Sequence, residues 1–276
     1  MSDECIGDIS ASFLPDDEVS LGNQYLNDGF VVAPVADLAA FERITSFMAG
    51  AVAEMLDEKY SDAESFLNSI HRLVKSESLN SFRLALIQRM NAATWFRAAY
   101  FRLARPTLEQ LVGNELAMQL RVNLSIQTPG DDQSLLPVHA DVWSGDSPYE
   151  VVVWLPLVHC FGTKAMYILP PLADKELRSD FQKYASKTSD ELFERIQASV
   201  VWIEIKPGEV LFFNQNLPHG NRVNEENETR WSMNCRFKSV FSPYGDKKLG
   251  EFFEPVTLKP ASRVGMSYRF PSLGAD

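Results

Sequence analysis

The chain holds four histidines, His71, His139, His159 and His219. Two of them stand where metal chemistry could be built. In Pro137-Val138-His139-Ala140-Asp141 an imidazole and a carboxylate lie two residues apart. In an extended chain such residues point to the same side, so one ion can take both. His219 stands in Leu217-Pro218-His219-Gly220-Asn221, after a strand pair around Pro207-Gly208. A returning strand there can bring a second imidazole to the same spot. Two imidazoles and one carboxylate occupy one face of an octahedral ion and suit Fe(II). Three positions stay open: a 2-oxo acid can chelate two, and dioxygen can take the third. The competing reading is a polar loop stabilised by His139 and Asp141 with no ion. His159 ends an apolar run over 151–158 and reads as a structural hydrogen-bonding residue. His71 lies in a helical pattern and reads as packing or surface.

Eleven residues after His219 comes Arg230-Trp231-Ser232. On a strand Arg230 and Ser232 share a face, as do Asn234 and Arg236. A guanidinium beside a hydroxyl can hold a carboxylate bidentately, as a 2-oxoglutarate site requires. Arg236, on the same face, is a second candidate clamp or a substrate contact. Upstream, Arg121, Asn123 and Gln127 alternate with Val122, Leu124 and Ile126. That polar face either lines a cavity, against co-substrate or substrate, or meets solvent. Trp143 and Tyr149 flank Asp141 on a loop and are candidates to bound a substrate pocket. Arg222 is placed to meet an anionic substrate group. Lys164 and Tyr167, on the fourth strand, are weaker candidates.

These residues need elements to hold them. Residues 37–113 read as helical. Asp37 is a natural N-cap, and Leu38, Phe41, Ile44, Met48 and Val52 follow at helical spacing. Further helical patterns cover about 62–74, 77–90 and 94–112. Pro106 is expected to kink or divide the last, and Gly113 to stop it. Before them, Asn27-Asp28-Gly29 reads as a turn into a short strand ending at Pro34. Residues 116–241 read as short strands over 117–127, 150–158, 164–169, 200–205, 209–213 and 230–240. Pro/Gly turns separate them, which suggests a sandwich or barrel. A charged helical insertion at 173–197 either caps the barrel mouth or is a solvated surface element. The tail, 242–276, holds Arg263 and Arg269 among aromatic residues, and either closes over the site or mediates a dimer.

Composition narrows the function classes. Acidic residues number 37 against 26 basic, a net charge of −11. Such a surface repels phosphate backbones, so neither nucleic acid nor an anionic membrane is expected as a partner. An anionic ligand needs a local basic pocket. Cys5, Cys160 and Cys235 are too few for a disulfide framework or a four-thiolate zinc site. Residues 1–5 lack signal-peptide character, and the run 151–158 is too short for a bilayer. The expectation is one domain of 276 residues, reduced and cytoplasmic.

His139-x-Asp141, His219 and Arg230-x-Ser232 together resemble the Fe(II)/2-oxoglutarate-dependent dioxygenases, over roughly residues 25–240. The phytanoyl-CoA hydroxylase-like branch is the most similar. Its opening segment is similar to Asn27-Asp-Gly-Phe-Val-Val32, and its strand before the distal histidine to Lys206-Pro-Gly-Glu-Val-Leu-Phe-Phe213. Within it, the chain looks like the oxygenases of bacterial carbohydrate and aminosugar gene clusters. The resemblance implies an α+β fold, a double-stranded β-helix (jelly roll) core with flanking N-terminal helices. It implies Fe(II), 2-oxoglutarate and O2, with release of succinate and CO2. His139, Asp141 and His219 carry over as iron ligands, and Arg230 and Ser232 as the 2-oxoglutarate clamp. The substrate is expected to be a small polar metabolite, and a homodimer is one option for assembly. Halogenating members replace the carboxylate, so Asp141 favours hydroxylation. One departure stands out: the family's Pro-Gly-Ser-His stretch is replaced by Ile168-Leu-Pro-Pro-Leu172. Two rivals remain, a cupin-type isomerase or epimerase that does not use 2-oxoglutarate, and a non-catalytic ligand-binding jelly roll.

Overall fold

Helix α1, Asp16–Asp28, opens the fold in a computed structural model that describes residues 13–184 and 187–271. Cys5 and the leader reading of residues 1–5 lie outside the described residues, as does the end of the tail. Three acids in the first turn of α1 face the positive end of its dipole. The helix ends at Gly29, which takes φ +81° and donates its N–H to Tyr25 O at 2.9 Å. Asn27-Asp28-Gly29 is therefore a helix end and not a free turn. α1 buries no residue completely, so it carries little of the apolar periodicity that marks a helix in sequence. Strand β1, Phe30–Pro34, follows.

Four helices come next: α2 Leu38–Leu56, α3 Ala63–Asn68, α4 Ser76–Ala92 and α5 Phe96–Leu111. Asp37 caps α2 by accepting from Ala40 N–H at 2.9 Å. Pro106 does not divide α5, which continues through it. Proline removes one intrahelical bond, but Tyr100, Leu103 and Leu108 are buried on both sides of it and hold the helix to the core.

The strands are β2 Leu116–Gln119, β3 Asn123–Gln127, β4 Val151–Pro156, β5 Tyr167–Ile168, β6 Val201–Trp202, β7 Glu209–Asn214, β8 His219–Gly220, β9 Arg230–Ser239 and β10 Phe253–Pro255. All strand pairs are antiparallel. The larger sheet runs β1-β7-β4-β9-β2-β10, with β3 also on β9, and the smaller runs β6-β5-β8. The expected single strand over 117–127 is split. Met118 pairs with Phe237 and Asn123 with Asn234. One side advances five residues while β9 advances three, so two residues bulge out. Asn91 makes the bulge tolerable. Its side chain accepts from Val122 N–H and donates to Val122 O.

Strand β9 divides the molecule by period two. Trp231, Met233, Cys235 and Phe237 face the helices and are fully buried. Arg230, Ser232, Asn234 and Arg236 face the other way, into a cavity. Trp231 locks this strand to α3 by donating its indole N–H to Leu67 O at 2.9 Å, and it meets Phe82 edge-on. Trp231→Phe should cost about 2–3 kcal/mol by leaving that carbonyl unpaired and a void behind it. Denaturant unfolding of the metal-free protein measures this.

The insertion forms helices α6, Pro171–Ser179, and α7, Ser189–Ile196. Leu177, Leu192 and Ile196 make a second core with Val138, Tyr167 and Leu169. The insertion thus packs on the smaller sheet, and none of its described residues lines the cavity. The tail adds β10 to the edge of the larger sheet beside β2. It ends in an exposed helix, α8 Pro260–Ser267, whose Arg263 is exposed, as is Arg269 beyond it. Among the described residues none of the tail lines the cavity. Cys160 and Cys235 are buried and free. Among the described residues no helix is long and apolar enough to cross a membrane.

Candidate metal centre

His139 and His219 form an antiparallel backbone pair. Each N–H donates to the other's carbonyl, at 3.1 and 2.8 Å. Cross-strand partners project side by side, and the two rings lie 4.3 Å apart. The pairing continues with Asp141 N–H to Gln215 O at 3.1 Å. Asp141, two residues along, falls on the same side. One ligand atom from each of the three side chains lies within 4.8 Å of the others.

The imidazoles are oriented for coordination. His139 Nδ1 lies 2.8 Å from Pro137 O, and His219 Nδ1 lies 2.9 Å from Leu217 O. A carbonyl only accepts, so each Nδ1 carries the proton and each Nε2 keeps its lone pair. Burial, with His139 alongside, pushes His219 down to about 4, so at neutral pH it is uncharged. Burial opposes ionisation of Asp141, but Arg236 and the two imidazoles outweigh it and hold the carboxyl below its usual range. Asp141 Oδ1 lies 3.6 Å from His139 Nε2, and Oδ2 accepts from Arg236 Nη2 at 2.9 Å. Arg236 Nε donates to Gln215 Oε1 at 3.0 Å, and Gln215 Nε2 donates to Glu150 Oε2 at 2.9 Å. A buried polar chain therefore fixes the carboxylate from behind.

The cluster faces a cavity of about 450 Å³. The inner face of the larger sheet lines its opposite side. Asn123 and Ser125 on β3 pair with Asn234 and Ser232 on β9. Val152 and Trp154 on β4 pair with Arg236 and Asn234. Arg230 is buried there, with Nη2 donating to Ser125 Oγ at 3.1 Å and Nη1 to Ala165 O at 3.4 Å. Its Nε and Ser232 Oγ are buried without a partner. Among the described residues no carboxylate pairs with Arg230. Burial lowers its pKa to about 10, so it stays charged at neutral pH. A buried cation with no counter-ion is costly, and an anionic ligand would remove that cost.

Several expected site residues fall elsewhere. Arg121 is exposed in the bulge. Gln127 is buried but turned away. It donates to Arg222 O at 2.8 Å and accepts from Asn221 Nδ2 at 3.3 Å, bracing the segment after His219. Trp143 and Tyr149 are 43% and 56% exposed and do not line the cavity. The chain coils into a 3-10 turn at Asp141–Ser144, and Trp143 packs on Phe181 instead. Arg222 pairs with Asp190 at 2.6 Å and lies over Phe193. Arg236 reaches the site but is held by Asp141. Asn123 lines the cavity and donates to Asn234 Oδ1 at 2.9 Å. Lys164 is buried between Asn68 and Glu228, both at 2.6 Å. Tyr167 is buried beneath Gly220, where a Cβ would come within 2.7 Å of its hydroxyl. His159 lies by Glu204 and His71 by Thr229. Sequence reasoning passed over Ser125, visible in the alternation, and Arg83, which carried no local signal.

Solved structures share this architecture. The non-haem monooxygenase ThoJ, in its apo form, matches with a TM-score of 0.54 at 16% identity, over 87% of this chain and 84% of that one. This chain shares the fold of ThoJ. The nickel complex of ThoJ matches at 0.53, at the same identity and coverage. EctD from S. alaskensis with bound Fe matches at 0.50 and 15% identity, over 84% of this chain and 79% of that one. No family model matches the sequence, and no curated protein does.

Proposed function

We propose that the chain is a non-haem Fe(II)- and 2-oxoglutarate-dependent oxygenase, built on a double-stranded β-helix, that hydroxylates a small polar metabolite. One observation carries the reading. A His-Asp-His cluster faces a cavity whose other wall presents a buried arginine without a counter-ion. The monooxygenase activity named for ThoJ and the iron bound in EctD support it.

His139, Asp141 and His219 would hold the iron through Nε2, a carboxylate oxygen and Nε2. Arg230 and Ser232 would take the distal carboxylate of 2-oxoglutarate, which gives the unpaired Nε and Oγ their partners. When bound, Fe(II) and the 2-oxo acid supply oxidative decarboxylation coupled to oxygen insertion at a substrate C–H bond. In that chemistry one oxygen atom of O2 would enter succinate and the other the product. The protein's share is positional. The backbone carbonyls behind each Nδ1 hold the imidazoles in one tautomer. Val152, Trp154, Met166 and Phe213 give the cavity apolar walls that restrict water.

The test is anaerobic. Fe(II) and then 2-oxoglutarate are added to metal-free protein while the visible spectrum is recorded. A weak charge-transfer band that needs both supports the reading. Bound iron without the band favours a cupin-type metal enzyme, and no iron binding favours a ligand-binding module.

A further inference from the structure

We propose that the substrate is an anion and that Arg83 holds its negative group at the cavity mouth. This rests on the oxygenase reading above. The chain carries a net charge of −11, yet three arginines and a single acid line its cavity. The acid, Asp141, is paired with Arg236, and Asp146 and Glu150 stand behind that pair at 3.7 and 4.0 Å. Arg230 sits deep and suits one carboxylate of the co-substrate. Fe(II) and 2-oxoglutarate carry equal and opposite charges, so loading both leaves the balance unchanged. Arg83 is then the cation without an assignment.

Arg83 projects from α4, half-buried, and lines both the cavity and an adjoining groove of about 220 Å³. Its polar contact is the neutral Asn80 Oδ1, at 2.8 Å, and it forms no ion pair among the described residues. Gln133 and Ser134 line both spaces beside it, and their side chains make no hydrogen bond among the described residues. The groove's own acid, Asp131, accepts from Gln133 N–H at 2.8 Å through Oδ1, while Oδ2 is buried without a partner. Asp131 forms no ion pair with Arg83 among the described residues, and it is buried beneath the groove and turned to the backbone. Arg222, whose sequence position suggested the same task, is neutralised by Asp190. The class indicated is a small molecule bearing a carboxylate or a phosphate.

The experiment uses wild type, Arg83→Gln and Arg83→Lys, loaded with Fe(II) and 2-oxoglutarate. Matched probes are glucose 6-phosphate and gluconate against glucose, and N-acetylamino acids against their amides. Succinate formation with O2 and the anaerobic band are both recorded. At least one anionic probe is expected to accelerate succinate formation while its neutral partner does not. Arg83→Gln should raise the half-saturating concentration of that probe at least about tenfold, the scale of one lost charge-assisted hydrogen bond. Arg83→Lys should hold it within about threefold, and the 2-oxoglutarate concentration that develops the band should stay the same in both variants. Equal acceleration by the neutral partner, no response to Arg83→Gln, or no acceleration by any anion overturns the proposal. The phosphate and carboxylate arms separate the two anion types. A band that never forms in wild type sinks the oxygenase reading, and this inference with it.

Discussion

Asp141→Ala is expected to weaken Fe(II) binding by more than about 100-fold, beyond the upper range for losing an outer-shell partner, and to abolish succinate formation. The carboxylate is the only anion in the cluster, so it offsets the ion's charge as well as ligating it. It also sits against Arg236 at 2.9 Å, and alanine would leave that guanidinium without its partner. Part of any lost activity in Asp141→Ala could therefore reflect folding. Asp141→Asn separates the two effects. It keeps an oxygen for Arg236 and removes the charge, so the metal-free fold should persist while iron affinity still collapses. Iron titration with denaturant unfolding on both variants decides the matter. Iron binding retained in Asp141→Asn would remove Asp141 from the ligand set.

The second large effect is expected at Arg230. Arg230→Met should raise the 2-oxoglutarate requirement by roughly 30-fold to more than 1,000-fold. That is about 2–5 kcal/mol for truncating one side of a buried charge pair. Iron binding without 2-oxoglutarate should hardly change, because Arg230 contacts none of the three candidate ligands. Stability should move the other way. In the metal-free protein Arg230 is a buried cation with an unpaired Nε and, among the described residues, no carboxylate partner. Methionine of similar length removes that burden, so the variant should be as stable as wild type or more so. A structural arginine would lose stability on this change. Unaltered 2-oxoglutarate dependence would move the clamp elsewhere on the cavity wall.

Local spacing carried part of this site. The two-residue step from His139 to Asp141 sets both on one side, and the period of two along β9 sets Arg230, Ser232, Asn234 and Arg236 on one face. Both follow from backbone geometry and need no partner. Helix α2 was equally legible, because its apolar stripe and its Asp37 cap lie within one segment. The rest shares a cause. The bulge over 120–122 exists because β9 must serve both β2 and β3 in two registers. Pro106 stays within α5 because the core on either side outweighs its local cost. Trp143 and Tyr149 turn away because the chain coils just after Asp141.

The arginines show the division most sharply. Arg83, Arg222, Arg230 and Arg236 are the same side chain, and nothing in their neighbouring residues separates the ligand holder from the tether. Arg222 meets Asp190 from an inserted helix, and Arg236 meets Asp141 from a distant loop. Arg230 is left among neutral acceptors and Arg83 beside Asn80. The amino-acid order sets which face of its own element each one occupies. The tertiary structure sets which remain uncompensated, because the acids that neutralise a cation come from elsewhere in the chain. Only an uncompensated cation, desolvated or at a cavity mouth, has interaction energy left for a ligand.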